Sequence, residues 1–118
     1  MNQVKLIIIG ITDDIDATVI LNHGYLPQID IVPDNTIEAA RDRLFEEITG
    51  FTANPLWVKF QLLDVMAIKS DIHICYSCLI ANNIELGDNY QFTALAATDY
   101  LDSVDKKLIK EACLRQYY

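Results

Sequence analysis

The chain has 118 residues, of which 52% are hydrophobic and 22% are charged, and its net charge is −8. This length and composition predict one globular domain over residues 1–118, with enough chain for a single core. The strong acidic balance excludes a free basic surface, so no nucleic-acid partner is expected.

The sequence also argues against a membrane partner. The Ile-rich run Val4–Ile11 is too short to cross a bilayer and contains Lys5, and no signal peptide is recognised. The three cysteines lack the spacing of a disulfide framework, which favours a reducing and therefore cytoplasmic setting.

The first half of the chain predicts strands followed by a helix. Apolar and β-branched runs bounded by turn residues predict three strands, at Val4–Ile11, Ala17–Leu21 and Gln28–Val32. A helix is then predicted from an N-cap at Asn35 or Thr36 to a C-cap at Gly50. Glu38 lies three residues after Asn35, as in a capping box. The apolar stripe predicted for this helix consists of Ile37, Ala40, Leu44 and Ile48.

The second half predicts further strands and a closing helix. Trp57–Ile68 is expected to form one long strand or two short ones, and further strands are expected at Ile72–Ile80 and Tyr90–Leu95. The closing helix is expected at Val104–Gln116. Strands, helix, strands and helix in this order predict an α+β fold.

Residues Leu26–Phe51 read LPQIDIVPDNTIEAARDRLFEEITGF. This segment resembles a degenerate Nudix box, whose pattern is Gly, five residues, Glu, seven residues and then Arg-Glu-U-x-Glu-Glu-x-Gly-U, with U bulky and apolar. Arg43, Glu47 and Gly50 match that pattern without a gap. The resemblance implies a Nudix-like mixed β-sheet with helices packed on its faces.

Other positions depart from the box. Gln28 and Ile29 replace its glycines, Asn35 replaces its first Glu, and Leu44 and Ile48 replace two of the helix glutamates. Glycine permits close backbone approach and positive φ, which these replacements do not allow cheaply.

The resemblance implies Mg²⁺ as the cofactor, if there is one. Positions 44, 47 and 48 have the i, i+3, i+4 spacing of one helix face, where the family gathers carboxylates around the ion. Here only Glu47 remains, so the predicted metal site is weak or absent and ordinary Mg²⁺-dependent pyrophosphohydrolysis is not expected. Glu47 and Arg43 are the residual catalytic candidates, and Arg43 and Gln28 are the candidate ligand-binding residues.

Each candidate also has a structural interpretation. Glu47 and Arg43 can form an i,i+4 ion pair on the helix surface. Leu44 and Ile48 can pack into the core or line an apolar ligand pocket, and the core interpretation is favoured. Cys75 and Cys78 form a C-x-x-C, but their odd separation on a strand sends the side chains to opposite faces.

Three functions therefore remain open. The first is a catalytically impaired Nudix-like domain that binds a nucleotide-type small molecule or a protein partner. The second is an active but atypical hydrolase that recruits acids from the Asp13–Asp16 segment or Asp71. The third is a purely structural or protein-interaction module, for which a homodimer is one arrangement.

Overall fold

The computed structural model describes residues 3–12, 17–54, 56 and 58–116. Within these residues the chain forms six strands, two α-helices and a short 3₁₀ helix. Their bounds are β1 Val4–Thr12, β2 Thr18–Asn22, β3 Gln28–Ile31, α1 Ile37–Thr49, β4 Gln61–Ile68, β5 Asp71–Ile80, β6 Tyr90–Ala94, a 3₁₀ turn Leu95–Ala97, and α2 Ser103–Gln116. The predicted α+β order is confirmed.

The strands form one mixed sheet in the order β4-β5-β1-β2-β6, and β3 also pairs with β1. Strand β1 runs parallel to β5, with Val4 opposite Ile72 and Thr12 opposite Ile80. The pairings of β1 with β2 and β3, β2 with β6, and β4 with β5 are antiparallel.

The central strand β1 supplies side chains to both faces of the sheet, because successive residues of a strand point in opposite directions. Leu6 and Ile8 pack with α1, and we name that cluster the α1 core. Ile7, Ile9 and Ile11 pack with α2, and we name the second cluster the α2 core. The continuous apolar run in β1 is therefore explained by burial on two sides.

Both ends of α1 carry caps that the sequence predicted in part. Thr36 is the N-cap, and its side-chain oxygen accepts a hydrogen bond from the Ala39 amide at 3.0 Å. The expected capping box between Asn35 and Glu38 is wrong, because with Thr36 as cap the box position falls on Ala39, which has no side-chain acceptor. Gly50 ends the helix in the left-handed region at φ 75°, as predicted.

Two other expectations need correction. The strand expected at Trp57–Ile68 begins only at Gln61, and Trp57 lies outside the described residues. The Val58 amide donates to the Asn54 carbonyl at 2.9 Å, so Val58 is held by a local hydrogen bond and not by pairing with β5. Ile37, placed in the apolar stripe of α1, is 37% exposed, and Phe45 is buried in the α1 core instead.

Candidate functional site

Two of the box positions on α1 lie inside the protein. Leu44 is 0% exposed and Ile48 is 1% exposed, and both belong to the α1 core. Neither side chain lines a cleft described below. The interpretation that core packing occupies these positions is therefore confirmed, and the apolar-pocket interpretation is wrong for both residues.

The third box position behaves differently, because Glu47 points outward. Its carboxylate lies 3.9 Å from the Arg43 Nε, and the two side chains are 49% and 69% exposed. The expected i,i+4 ion pair is thus present, at a long distance and in solvent, where such pairs contribute about 0.3–0.5 kcal/mol. The three positions adjoin on one side of the helix, as their spacing requires, but Glu47 lies at its exposed edge while Leu44 and Ile48 are buried.

The space next to Glu47 is bounded by the loop before β6, which the sequence did not reveal as part of this region. The Gly87 amide donates to the Ile48 carbonyl at 2.8 Å, and a side chain at position 87 would collide with the Glu47 carbonyl. Nearby, burial and then the negative charge of Glu47 raise the pKa of the Tyr90 phenol. The turn chemistry around Gly87 was visible in the sequence, but its contact with the end of α1 was not.

Gln28 lies on the other side of the sheet. It sits opposite Ile7 in the β1–β3 pairing, and Ile7 belongs to the α2 core. Gln28 lines a cleft of about 320 Å³ together with Met66, His73 and Asp105. The structure therefore does not bring Gln28 together with Arg43 and Glu47, which lie on α1.

A residue that sequence reasoning missed is Arg41. Its side chain is 21% exposed. The guanidinium carbon lies 4.4 Å from the centroid of the Phe60 ring and 5.3 Å from that of the Tyr76 ring. The Arg41 Nε donates a hydrogen bond to the Asp42 carboxylate at 3.2 Å. Stacking of this kind holds a guanidinium in a fixed orientation. The only signal in the sequence was the i,i+4 spacing of Arg41 and the core residue Phe45.

Comparisons with known proteins agree on the architecture. No protein-family model and no curated relative matches the chain. Among solved structures, the NUDIX domain of Shewanella oneidensis NrtR, complexed with ADP ribose, has a TM-score of 0.73 at 17% identity and covers 98% of this chain and 89% of its own. A hydrolase of the NUDIX family from Clostridium perfringens has a TM-score of 0.72 at 11% identity, with coverages of 95% and 96%.

The chain has the Nudix fold. A further structural neighbour is the C-terminal domain of mouse MUTYH, solved in complex with human PCNA, with a TM-score of 0.73 at 10% identity and coverages of 98% and 90%. At these identities the likeness extends to the fold and leaves the chemistry to be argued from the residues themselves.

The Nudix fold implies Mg²⁺ at the box helix, and the residues present there do not fit it. Mg²⁺ requires near-octahedral oxygen ligation and is held in proteins by carboxylates together with substrate phosphates. Leu44 and Ile48 offer no donor, and Glu47 is engaged with Arg43. Across residues 3–12, 17–54, 56 and 58–116, no three His, Cys, Asp or Glu side chains are grouped as metal ligands.

Acids from elsewhere in the Nudix fold were the alternative source of ligands. Asp71 begins β5 beside Gln3, and its carboxylate accepts from the Gln3 amide at 3.2 Å. The C-terminal turn of α1, which carries Glu47, packs near Ile80 at the other end of β5, so Asp71 lies at the strand end far from Glu47. The Asp13–Asp16 segment lies outside the described residues.

The structure also shows where the two cysteines of the C-x-x-C lie. Cys75 belongs to the α2 core and Cys78 to the α1 core, so the predicted opposite orientation is confirmed. Burial raises the pKa of each thiol to about 12, which disfavours the thiolate that a redox or metal role requires. Neither helix in the described part of the chain has the length and apolar character needed to span a bilayer.

Proposed function

We propose that this chain is a binding domain with the Nudix fold, which binds a nucleotide-type ligand and does not catalyse ordinary Mg²⁺-dependent pyrophosphohydrolysis. The burial of Leu44 and Ile48 carries the proposal. Carboxylates at those two positions would have to lie in the apolar α1 core, and the aliphatic residues found there instead leave Glu47 alone. One exposed carboxylate does not offset the dehydration of a small divalent cation.

A nucleotide-type ligand is supported by the structural neighbour from Shewanella oneidensis, which was solved with ADP ribose. It is also compatible with the local charge of this chain, because arginine and lysine side chains beside α1 can neutralise phosphates in a protein that is acidic as a whole. The free cysteines agree with a cytoplasmic location, which belongs to the same proposal.

The test combines a binding and a turnover measurement on the full chain. ADP-ribose is titrated by calorimetry with Mg²⁺ and with EDTA, and the products are followed by chromatography. We expect saturable binding in both buffers and no magnesium-dependent products. Turnover of roughly 1 s⁻¹ or more, within the usual range for enzymes, would show that the chain is catalytic and contradict that part of the proposal. If neither ADP-ribose nor ADP binds, the proposed ligand binding is wrong.

A second candidate function is a protein-interaction module, and it rests on the exposed edge of the sheet. Strand β4 ends the strand order, and its Leu62 and Val65 are 50% and 55% exposed. Unpaired edge strands with exposed apolar side chains are templates for a further chain. Light scattering of the wild type and of Val65→Lys over a range of concentrations tests whether the chain forms a homodimer. If β4 is the interface, the measured mass of the variant should be lower than that of the wild type and closer to the monomer mass.

A further inference from the structure

Two clefts beside α1 share Val58 in their lining. The first has a volume of about 520 Å³ and is bounded by Arg41, Asp42, Lys59 and Phe60. The second has a volume of about 460 Å³ and is lined mainly by apolar residues, among which are Phe45, Phe51 and Ile84. We name the pair the α1 groove, with a polar half and an apolar half.

The polar half offers an arginine that is oriented before any ligand arrives. Arg41 stacks on Phe60 and Tyr76, and its Nε donates to Asp42. Among the residues that the structure describes, none accepts from the two terminal nitrogens of the guanidinium, whose donors suit the paired oxygens of a phosphate. Lys59 adds a second positive charge to the same cleft.

Charge selects an anion for this half. The protein has 17 acidic and 9 basic side chains, so a free anion is repelled by most of its surface. Arg41 and Lys59 stand against the single carboxylate of Asp42, which leaves the cleft with a local excess of positive charge. The partial burial of Arg41 reduces the screening of its interaction with a bound anion.

The apolar half suits a flat, weakly hydrated group. Phe51 is 49% exposed at its wall, so a bound ring would cover apolar surface that now faces water. Helix residues of the groove run from Arg41 to Thr49, a distance of about 12 Å at 1.5 Å per residue. An extended nucleoside diphosphate has a comparable length, with its charge at one end and its ring at the other.

We infer that the nucleotide-type ligand lies in the α1 groove, with its phosphates beside Arg41 and Lys59 and its base in the apolar half. This inference rests on the proposed function and assigns it a site that includes neither Glu47 nor Gln28. The site needs no metal ion, because the protein supplies the positive charge itself.

Calorimetry with ADP and the 118-residue chain tests the assignment. Lys59→Gln removes a charge at an exposed position, and Phe51→Glu places a carboxylate on the wall of the apolar half. Lys110→Gln and Leu114→Glu make matching changes at exposed positions of α2, on the opposite face. Thermal melting of all four variants establishes that they are folded, and Arg41→Lys tests the planar fork with the charge retained.

We expect Lys59→Gln and Phe51→Glu to weaken ADP binding roughly tenfold each, the scale of one charge-assisted contact. The two controls should bind within about twofold of the wild type. Binding of ADP should weaken with added salt, whereas binding of adenosine should not.

The outcomes separate the site from the function. If ADP binds the wild type and both groove variants equally, the ligand lies elsewhere, and the assignment to the α1 groove is wrong while the proposed function stands. If neither ADP nor ADP-ribose binds the wild type, the ligand-binding function and the site fail together. A loss confined to the groove variants supports both.

Discussion

Leu44 and Ile48 occupy positions where the Nudix box has glutamates, and both side chains are buried in the α1 core. A restored box would place two carboxylates where the structure has side chains at 0% and 1% exposure. Each buried and unpaired carboxylate costs several kcal/mol, on the order of the whole stability of a small domain. From the sequence alone, the double change would be expected to restore activity if only the ligands had been lost.

With the structure, Leu44→Glu combined with Ile48→Glu is expected to unfold the protein and to produce no hydrolysis. Circular dichroism during heating gives the stability, and product analysis with ADP-ribose and Mg²⁺ gives the activity. Glu46→Gln, an exposed change on the same helix, serves as the control and should melt like the wild type. A folded, active double variant would show that the α1 core can open around these positions.

Substitution of Glu47 should have a smaller effect on stability, because its side chain is exposed. Glu47→Gln removes the 3.9 Å ion pair with Arg43 and should lower the free energy of unfolding by no more than about 0.5 kcal/mol. It should also lower the pKa of the Tyr90 phenol, since the Glu47 charge now raises it. Phenolate absorbance measured against pH gives the change in the Tyr90 pKa, and Tyr90→Phe identifies which titration belongs to Tyr90. An unchanged Tyr90 titration in Glu47→Gln would contradict the proximity of Glu47 to Tyr90.

At the scale of elements, helix α1 is the part that the sequence predicted best. Its caps and apolar spacing depend on neighbours within a few residues, so they can be read without the fold. Gly50 is the clearest case, since its left-handed backbone follows from local chain geometry alone.

Gly50→Ala should lower the free energy of unfolding by about 1 kcal/mol, because alanine is strained at φ 75°. A side chain there would meet no atom within 4 Å, so the cost is conformational and not steric. Gly50→Asn should recover part of the loss, because asparagine tolerates the left-handed region. Urea denaturation of the three proteins measures both effects, and equal losses for alanine and asparagine would contradict this origin.

Other elements escaped prediction because their positions depend on distant residues. The register of β4 and its late start follow from pairing with β5 and from the hydrogen bond between Val58 and Asn54. The place of Arg41 against Phe60 and Tyr76 follows from the packing of α1 on the sheet. Likewise, the sequence joined Gln28 to Arg43 in one candidate site because both lie in the box, whereas the sheet separates them.

At the scale of the molecule, the two faces of the sheet differ in electrostatic character. The α2 face carries Asp102 and Asp105 near His73, in the cleft that also contains Gln28. Burial and then the Asp102 charge raise the pKa of Asp105, while His73 opposes the shift. The ionised form of Asp105 is therefore less favourable in the folded protein than in the unfolded chain.

The sign of the resulting pH dependence follows from linkage. An acid with a raised folded pKa contributes stability that is fully present below its unfolded pKa and is lost as the pH rises through its folded pKa. Asp105→Asn should consequently melt at a higher temperature than the wild type at neutral pH, and the difference should vanish in acid. Scanning calorimetry across pH measures this, with the exposed Asp99→Asn as control; a lower neutral melting temperature would contradict the burial penalty.

The parallel pairing of β1 with β5 has a consequence for biosynthesis. During translation, β1 leaves the ribosome well before β5, yet β5 is its neighbour along its whole length. The Ile-rich strand Val4–Thr12 can therefore make only its local pairings with β2 and β3 until Ile80 has been synthesised. Long-range parallel pairing of this kind folds slowly and leaves apolar strands open to aggregation. We therefore expect the nascent chain to expose the unpaired edge of β1 until β5 has been synthesised.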